Sequence, residues 1–543
     1  MAIDRIGPFT YQRFAPVLPT LEPGGDESAR HAVLIAGGGP VGLAVALGLA
    51  HWGVRSVVLE ADDSVCEGSR AACISRRSLE IVERLGASRA FLDKGLAWTS
   101  GTSYYGTEQV YRLEMPRSTE DQYPPMINLE QYYIEQFLLD QINALNRRQP
   151  GTIELRWQNR LSQLAQDARG VSVQVQTPQG SYRAAADWLI ACDGGQSFVR
   201  ASLGLELKGV GYTGRYAIVD IELASTAPTE RRAWFDPPWA RGTTILMHRQ
   251  PDDIWRVDYQ LAAGEDAEKV LSPDEVRRFV QTHLDAIGEG HLSWTPVWSS
   301  LYRAGAMTLD SYRHGRILFA GNSAHAMPIF GVRGLNSGFD DADNLIWKLA
   351  THLRGQAGDA LLDSYSRERV QAFHINAASA MRSTEFMSPP NRGFELMREA
   401  ALSLGARHPG IARLVNPRQT QAVSYDDSPL SSPSAVFATG PAPGAPLPEV
   451  ALEGGGHLSD RLHARAFTVL VFGDGPRLHL APQADQPDCA VERLPAPGAA
   501  ASALGARDGS VYLIRPDGHV AARWHATDAT TVQAAVRRAC QLA

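Results

Sequence analysis

An α/β fold carrying an α+β insert is predicted by three stretches of this 543-residue chain. Ala32–Glu60 reads as an apolar strand, a glycine-rich turn, an apolar helix and a second strand that ends on an acid. Gly209–Gly264 is rich in strands of alternating pattern. Arg316–Ala320 and the glycine-rich run behind it repeat strand, loop and helix, returning the chain to the first unit.

In the first stretch, Ala32–Ala36 has the continuous apolar character of a buried parallel strand. Gly37-Gly38-Gly39-Pro40-Val41-Gly42 fits G-x-G-x-x-G, and a helix is expected from Pro40 to about His51, followed by a strand over Ser56–Leu59. Gly37 allows the tight turn, Gly39 lets a pyrophosphate approach the backbone, and Gly42 lets helix and strand pack closely. Pro40 and Val41 open the helix, whose free N–H groups face the phosphates. Glu60 stands 18 positions past Gly42, where an acid takes ribose hydroxyls. A bound dinucleotide is therefore expected. Ala32–Val54 is also 23 residues without a charge, long enough to span a bilayer. The glycines and proline near its start would leave backbone groups unsatisfied in lipid, so strand and helix are expected instead of a span.

Composition narrows the classes. Hydrophobic residues at 44% and charged ones at 20% are ordinary for a globular protein. The net charge of −7 and the lack of a basic tract argue against nucleic acid. The opening MAIDRIGPFTYQRF lacks an apolar core, so no secretory signal and a cytoplasmic location are expected. Cys66, Cys73, Cys192, Cys489 and Cys540 are odd in number and never C-x-x-C. No disulfide framework, metal site or dithiol centre is expected.

Residues 1–30 are polar and rich in Pro and Gly, and a surface arm is expected there. SRRSLEIVERLG reads as an amphipathic helix stopped by Gly86, with Arg70 in the loop before it, where a cation can meet phosphate or substrate. A helix is expected over Asn128–Leu145, and antiparallel strands from Ile153 to Trp188. Trp188–Ala191 then delivers Cys192-Asp193-Gly194 to a turn. An acid that closes an apolar strand before glycine points to a binding role for Asp193. In the insert, Tyr216–Leu223, Thr243–His248 and Trp255–Leu261 are the expected strands. Trp255, Val257 and Tyr259 share one face of the last, and Arg256, Asp258 and Gln260 the other. Ser272-Pro273-Asp274-Glu275 reads as a capping box that opens a helix to about Leu284. Helical patterns cover Leu361–Arg382 and Gly393–Leu404, and Pro441–Pro448 is a linker by composition. Phe467–Phe472 and Val511–Ile514 read as strands, Pro516-Asp517-Gly518 as a hairpin turn, and Thr531–Leu542 as a closing helix.

Together these motifs resemble the class A flavoprotein monooxygenases, the FAD-dependent aromatic hydroxylase family. Its middle motif is matched by Asp193-Gly194 with Ser197, Val199 and Arg200. Its later motif is matched from Gly321-Asn322-Ser323-Ala324-His325 through Pro328, Gly331, Gly334, Asn336 and Gly338 to Lys348. The tail resembles the extra domain of the phenol and 3-(3-hydroxyphenyl)propionate hydroxylase branch. The resemblance implies a Rossmann-like FAD-binding domain of the p-hydroxybenzoate hydroxylase type over 31–205 and 300–400, with a β-sheet substrate cap over 206–299. A helical segment and linker follow over 401–448, then a thioredoxin-like domain over 449–543. Without C-x-x-C that last domain is expected to be structural or oligomeric, and a homodimer is the expected assembly.

The implied reaction is hydroxylation of a phenolic or related aromatic compound by O2, with resident FAD, NADH or NADPH as transient reductant, and a flavin C4a-hydroperoxide. Baeyer–Villiger or epoxidising chemistry on a polyketide-like substrate, and a non-catalytic flavin-binding protein, are the alternatives. By resemblance Gly37, Gly39 and Gly42 take the pyrophosphate and Glu60 the adenosine ribose. Arg70 and Gln131 lie along the FAD, Asp193 and Gly194 near its phosphate and ribityl region, and Asn322 on the ribityl chain. Pro328 faces the isoalloxazine, which rests against Gly331, Gly334, Leu335 and Asn336. A helix starting near Leu335–Asn336 aims its N–H groups at the flavin. Asn322 stands where the family has aspartate, so the contact keeps a hydrogen bond and loses a charge. His325 is expected to be scaffold. Tyr212, His248, Arg256 and Asp258 in the cap are the catalytic candidates, each also compatible with an ordinary structural place.

Overall fold

The computed structural model describes residues 3–542 except 69, 119–120, 263 and 416–420, and leaves the side chains at 212, 213 and 304 outside the description. One sheet runs in the order Ile153–Arg156, Ser56–Leu59, Asp26–Ala36, Gly180–Ala191, Gly170–Thr177, Arg160–Asp167. The central strands are parallel: Val33–Ala36 pairs Ser56–Leu59 on one side and Trp188–Ala191 on the other. Ile317–Phe319 adds in parallel beside Leu189–Ala191. These segments are continuous Val, Leu, Ile and Trp because helices cover the sheet.

The helix Pro40–His51 is buried almost all round. Helix Arg333–Leu353 crosses it at Gly48, where an added Cβ would lie 2.3 Å from Ile346 Cδ1. The missing side chain sets that approach.

The second sheet is the cap. Its order is His325–Ala326, Trp294–Thr308, Lys208–Leu223, Ile254–Gln260, Thr244–Arg249, Arg231–Phe235, Ser100–Tyr105, Glu108–Glu114. Its outer face, with Val219, Ile221, Ile245, Met247, Trp255 and Val257, packs on Val276, Val280 and Leu284 of helix Pro273–Ala286. Its inner face turns to the nucleotide domain: Tyr216, Phe235 and Leu246 pack on Phe330 of the glycine-rich loop.

The C-terminal sheet runs Cys489–Leu494, Phe467–Phe472, Val511–Ile514, Val520–Trp524, the first pair parallel and the others antiparallel. With helices Ala499–Leu504 and Ala529–Ala539, this is the thioredoxin-like arrangement. No helix long and apolar enough to cross a membrane occurs among the described residues.

Several expectations shift. The arm ends before Asp26, because Asp26–Ala36 is one strand whose polar first half pairs with Arg183–Ala186 through ion pairs such as Arg30–Asp187. Asn128 belongs to the strand Met126–Asn128, and the next helix is Gln131–Arg148. The cap sheet also recruits Ser100–Glu114, joined in parallel to Arg231–Phe235, a pairing no local pattern encodes. Ser272 is the N-cap of its helix, yet its side chain caps nothing: the hydroxyl donates to Lys269 O (2.7 Å), which diverts it from the capping box.

Candidate active site

The parallel register brings the three motifs together. Ala36, Leu59, Ala191 and Phe319 end neighbouring strands in step. Cys192 N–H donates to Ala36 O (2.8 Å), Gly37 N–H to Leu59 O (2.9 Å) and Ala320 N–H to Ala191 O (3.0 Å). Gly37, Asp193 and Gly321 thus leave the sheet side by side at its carboxyl edge, where open α/β sheets bind ligands.

The glycines divide by what surrounds them. A Cβ on Gly37, whose φ is +99°, would lie 2.4 Å from Cys192 O. On Gly42 it would lie 2.0 Å from Gly37 O. Both are required by the protein itself. On Gly39 the nearest atom would be Glu135 Oε1 at 3.9 Å, and around Gly194 and Gly334 nothing lies within 4 Å. Those bare positions face the open side of the loops. Val41 fills the other side: its Cγ2 sits where Cβ atoms on Gly321 or Gly338 would come within 3.0 and 2.6 Å, locking the first motif onto the third.

Glu60 accepts from Gly38 N–H (2.5 Å) and Asp62 N–H (2.8 Å), and burial raises its pKa. Gln131 lies at the start of its helix, accepting from Ala71 N–H (3.2 Å) and donating to Glu135 Oε1 (2.8 Å). Glu135 also accepts from Cys66 N–H (2.6 Å), and burial pushes its carboxyl up to about 7. Asp193 Oδ2 accepts from Val199 N–H (2.9 Å), while Oδ1 is buried with no partner among the described residues. An orphaned carboxylate oxygen in the strand-end cleft fits a hydroxyl-bearing ligand.

Asn322 is exposed in the turn Gly321–Ser323, its carbonyl 3.5 Å from Arg200 Nη1. His325 Nε2 lies 2.8 Å from Asp341 Oδ2, and that carboxylate also accepts from Gly321 N–H (2.9 Å) and Arg369 Nε (2.6 Å). His325 is a buried brace for the turn. The arrangement fits FAD.

The loop beyond differs in detail from expectation. Helix Arg333–Leu353 starts two residues earlier than Leu335, after Gly331 at φ +88° and Val332 at φ +52°. A β-branched residue in that region is strained and marks a functional turn. Pro328 is buried. Asn336 spends its side chain on protein: Oδ1 accepts from Ser75 N–H (2.9 Å) and Ser78 Oγ–H (2.7 Å), and Nδ2 donates to Cys73 O (3.1 Å). Its backbone alone is left for a flavin. Arg70 has an exposed side chain, and its carbonyl accepts from Arg256 Nη1 (3.4 Å).

Three of the four catalytic candidates share the inner face of the cap sheet; the side chain of Tyr212 lies outside the described residues. Cross-strand pairing makes a row, Arg231–His248–Arg256–Asp220, with Asp258 one step along the strand from Arg256. Arg256 is bidentate to Asp220 (Nε–Oδ1 2.8 Å, Nη2–Oδ2 3.0 Å), so its charge is spent. Both nitrogens of His248 and Oδ1 of Asp258 are buried without partners among the described residues. Burial, reinforced by Arg231 and Arg256, holds His248 well below its ordinary pKa, so it is neutral. Burial lifts Asp258 to about 6 against the pull of Arg256 and Arg231. Cys73 faces the same cluster, its thiol pushed up to about 11 by burial.

Arg231, Asp220, Cys73 and Glu135 escape sequence reading. Arg231 opens the run RRAWF, and only the pleat tells which of its two arginines faces inward.

Strand-end motifs, an open glycine loop and a polar cap face fit a flavin-dependent oxidoreductase. A family model described as "FAD binding domain" matches residues 30–378, and one described as "Aromatic-ring hydroxylase, C-terminal" matches 440–542. The chain belongs to this FAD-binding family and is an FAD-dependent aromatic hydroxylase-type monooxygenase. A 3-(3-hydroxy-phenyl)propionate/3-hydroxycinnamic acid hydroxylase of Mycolicibacterium smegmatis is 26% identical over 456 residues, 82% of this chain and 77% of that protein. A 6-methylpretetramide 4-monooxygenase of Streptomyces rimosus is 28% identical over 539 residues, 92% of each chain. The flavin-dependent monooxygenase PieE, solved with FAD and substrate, shares the fold at TM-score 0.78 and 21% identity, over 95% of this chain and 99% of that one. OxyS anhydrotetracycline hydroxylase of Streptomyces rimosus does so at TM-score 0.71 and 25% identity, over 94% and 99%.

Proposed function

We propose that the enzyme, in the cytoplasm, uses NADH or NADPH and O2 to hydroxylate a phenolic ring held between the glycine-rich loop and the inner face of the cap sheet. In this reading residues 31–205 and 300–400 hold FAD, and residues 206–299, with the strands of 100–114, hold the substrate. FAD, when bound, supplies reductive activation of oxygen. The protein positions the ring, excludes water and takes the phenol proton.

One observation carries the reading. Oδ1 of a buried carboxylate, Asp258, and both nitrogens of a neutral imidazole, His248, lie on the inner face of the sheet without partners among the described residues. A core has no use for such groups, and a phenol O–H satisfies them. Asp258 is the base, because at neutral pH most of it is ionised and a carboxylate with a pKa near 6 transfers protons efficiently. The relative named as a 3-(3-hydroxy-phenyl)propionate/3-hydroxycinnamic acid hydroxylase favours ring hydroxylation over oxygen insertion or epoxidation. The test is NAD(P)H oxidation by the yellow holoenzyme over a panel of phenols, with products identified by NMR. A hydroxylated ring is expected; an ester or epoxide, or no phenol accepted, overturns the proposal.

A further inference from the structure

The C-terminal region carries no C-x-x-C, and hydroxylation as proposed gives it no task. Its buried contacts supply one. Helix Asp359–Met387 presents two neighbouring residues that face different ways. Glu368 is held by Arg515 of the C-terminal domain, and also by Lys348 and Ser428. Arg369 reaches toward the flavin loops. Each nitrogen of its guanidinium has an acceptor, and the three acceptors come from separate parts of the chain. Nε donates to Asp341 Oδ1 (2.6 Å), Nη2 to Ser337 O (3.2 Å) and Nη1 to Tyr425 Oη (2.8 Å).

Asp341 passes the contact on. Its Oδ2 accepts from Gly321 N–H (2.9 Å), at the turn that carries Asn322. Burial would raise the Asp341 carboxyl, yet Arg369 and His325 hold it below its ordinary pKa, so the acceptor is charged. Ser337 belongs to the start of helix Arg333–Leu353, so Arg369 braces both loops of the third motif. Tyr425 is the outlying member. It is 2% exposed and lies between the two matched family regions, 30–378 and 440–542. The C-terminal domain fixes it from two sides. Tyr425 N–H donates to Gly444 O (2.9 Å), and the His519 ring lies 4.6 Å from its own. A phenylalanine would fill the same space. What the hydroxyl adds is an acceptor for Arg369, and a buried guanidinium that loses one must turn to find another.

We propose that Tyr425 is a positioning residue for the flavin, fixing the turn Gly321–Ser323 through Arg369 and Asp341. The C-terminal region is then part of the cofactor site and not an appendage to it. Supporting groups of this kind act by holding the contacting residues within a few tenths of an ångström of their working place. This inference rests on the placement of FAD proposed above and adds that its affinity depends on a hydroxyl outside the nucleotide domain.

The test is titration of the full-length apoenzyme with FAD, at a temperature where circular dichroism shows each variant folded. Tyr425→Phe keeps the ring and loses the hydroxyl. It should bind FAD about two- to thirtyfold more weakly, the range for positions that act at a distance. Ser428→Ala removes another buried hydroxyl from the same domain contact, one that bonds Glu368, and should leave FAD affinity unchanged. In an Asp341→Asn background Tyr425→Phe should add no further loss, because the link between hydroxyl and turn is already broken. Wild-type affinity in Tyr425→Phe, an equal loss in Ser428→Ala, or an undiminished Tyr425→Phe effect beside Asp341→Asn overturns the positioning role. Phenol hydroxylation by wild type is scored separately: its absence would fail the proposed function, while the titration would still decide the role of Tyr425.

Discussion

Arg515 of the C-terminal domain grips Glu368 of the nucleotide domain in a bidentate pair, Nη1–Oε1 2.6 Å and Nη2–Oε2 2.9 Å, with both side chains 1% exposed. Lys348 donates to the same carboxylate (2.7 Å), and Asp517 accepts from Trp347 Nε1 (3.1 Å). The hairpin turn of the last domain is thus plugged into the helices behind the flavin loop. Removing one partner of a buried pair strands the other. Arg515→Met should destabilise the enzyme by about 3–5 kcal/mol, read as a lower denaturation midpoint. A change under about 1 kcal/mol would show that the pair is solvated in practice.

The glycine loop yields a contrast between two positions three residues apart. Gly39→Ala meets no protein atom closer than 3.9 Å, so the apo fold should keep its melting temperature while FAD affinity falls more than about tenfold. Gly42→Ala places a Cβ 2.0 Å from Gly37 O and should fail to fold or lose several kcal/mol, of order 3. Isothermal titration with FAD and thermal melts separate the two effects. A Gly39→Ala enzyme with full FAD affinity would mean that the pyrophosphate lies elsewhere.

Asp258 ties activity and stability to pH in opposite senses. As base it must be ionised, so kcat/KM should fall as pH drops through about 6. For stability the sign runs the other way. Its folded pKa is raised above the ordinary 3.8, so the native state holds the proton more tightly than the unfolded chain, and stability is lost as pH rises from about 4 through about 6. Asp258→Asn should therefore cost about 10²–10⁴ in rate and leave the protein more stable than wild type above pH 6. Rate profiles and melts at pH 5 and 8 check both. A variant less stable at pH 8 would remove Asp258 from the list of buried, uncompensated carboxylates.

Asn322 is exposed at the turn after Phe319, at the position where the family resemblance implies an aspartate. Asn322→Asp should tighten FAD binding by about 1–2 kcal/mol, because a ribityl hydroxyl donates more strongly to a charged acceptor. Fluorescence titration with FAD measures it. Equal affinities would show that amide and carboxylate serve alike there.

Much of this was legible in the sequence, for a definite reason. The segments Ala32–Ala36, Pro40–His51, Ser56–Leu59 and Trp188–Ala191 are buried on all sides and so are continuously apolar. The division of Ile254–Gln260 into two faces was legible too, since pleating alternates the side chains. Polarity hid the rest. Asp26–His31 looks like surface because ion pairs satisfy it on a strand end. Ser272 has a good capping sequence, but its hydroxyl donates to Lys269 O and accepts from no N–H of the helix's first turn. Arg231 meets His248 only through a strand pairing distant in sequence, and Cys73 comes from a separate sheet, so no local pattern joins them. Helix Arg333–Leu353 begins early because Val332 takes a left-handed conformation that a valine pattern does not announce.

The most direct test of the central claim is the fate of oxygen. Holoenzyme, NAD(P)H and an accepted phenol under 18O2 should give a hydroxylated product carrying one 18O atom, seen by mass spectrometry, with none incorporated from H218O. Product oxygen drawn from water, or NAD(P)H consumed with no labelled product from any phenol tested, would contradict the account.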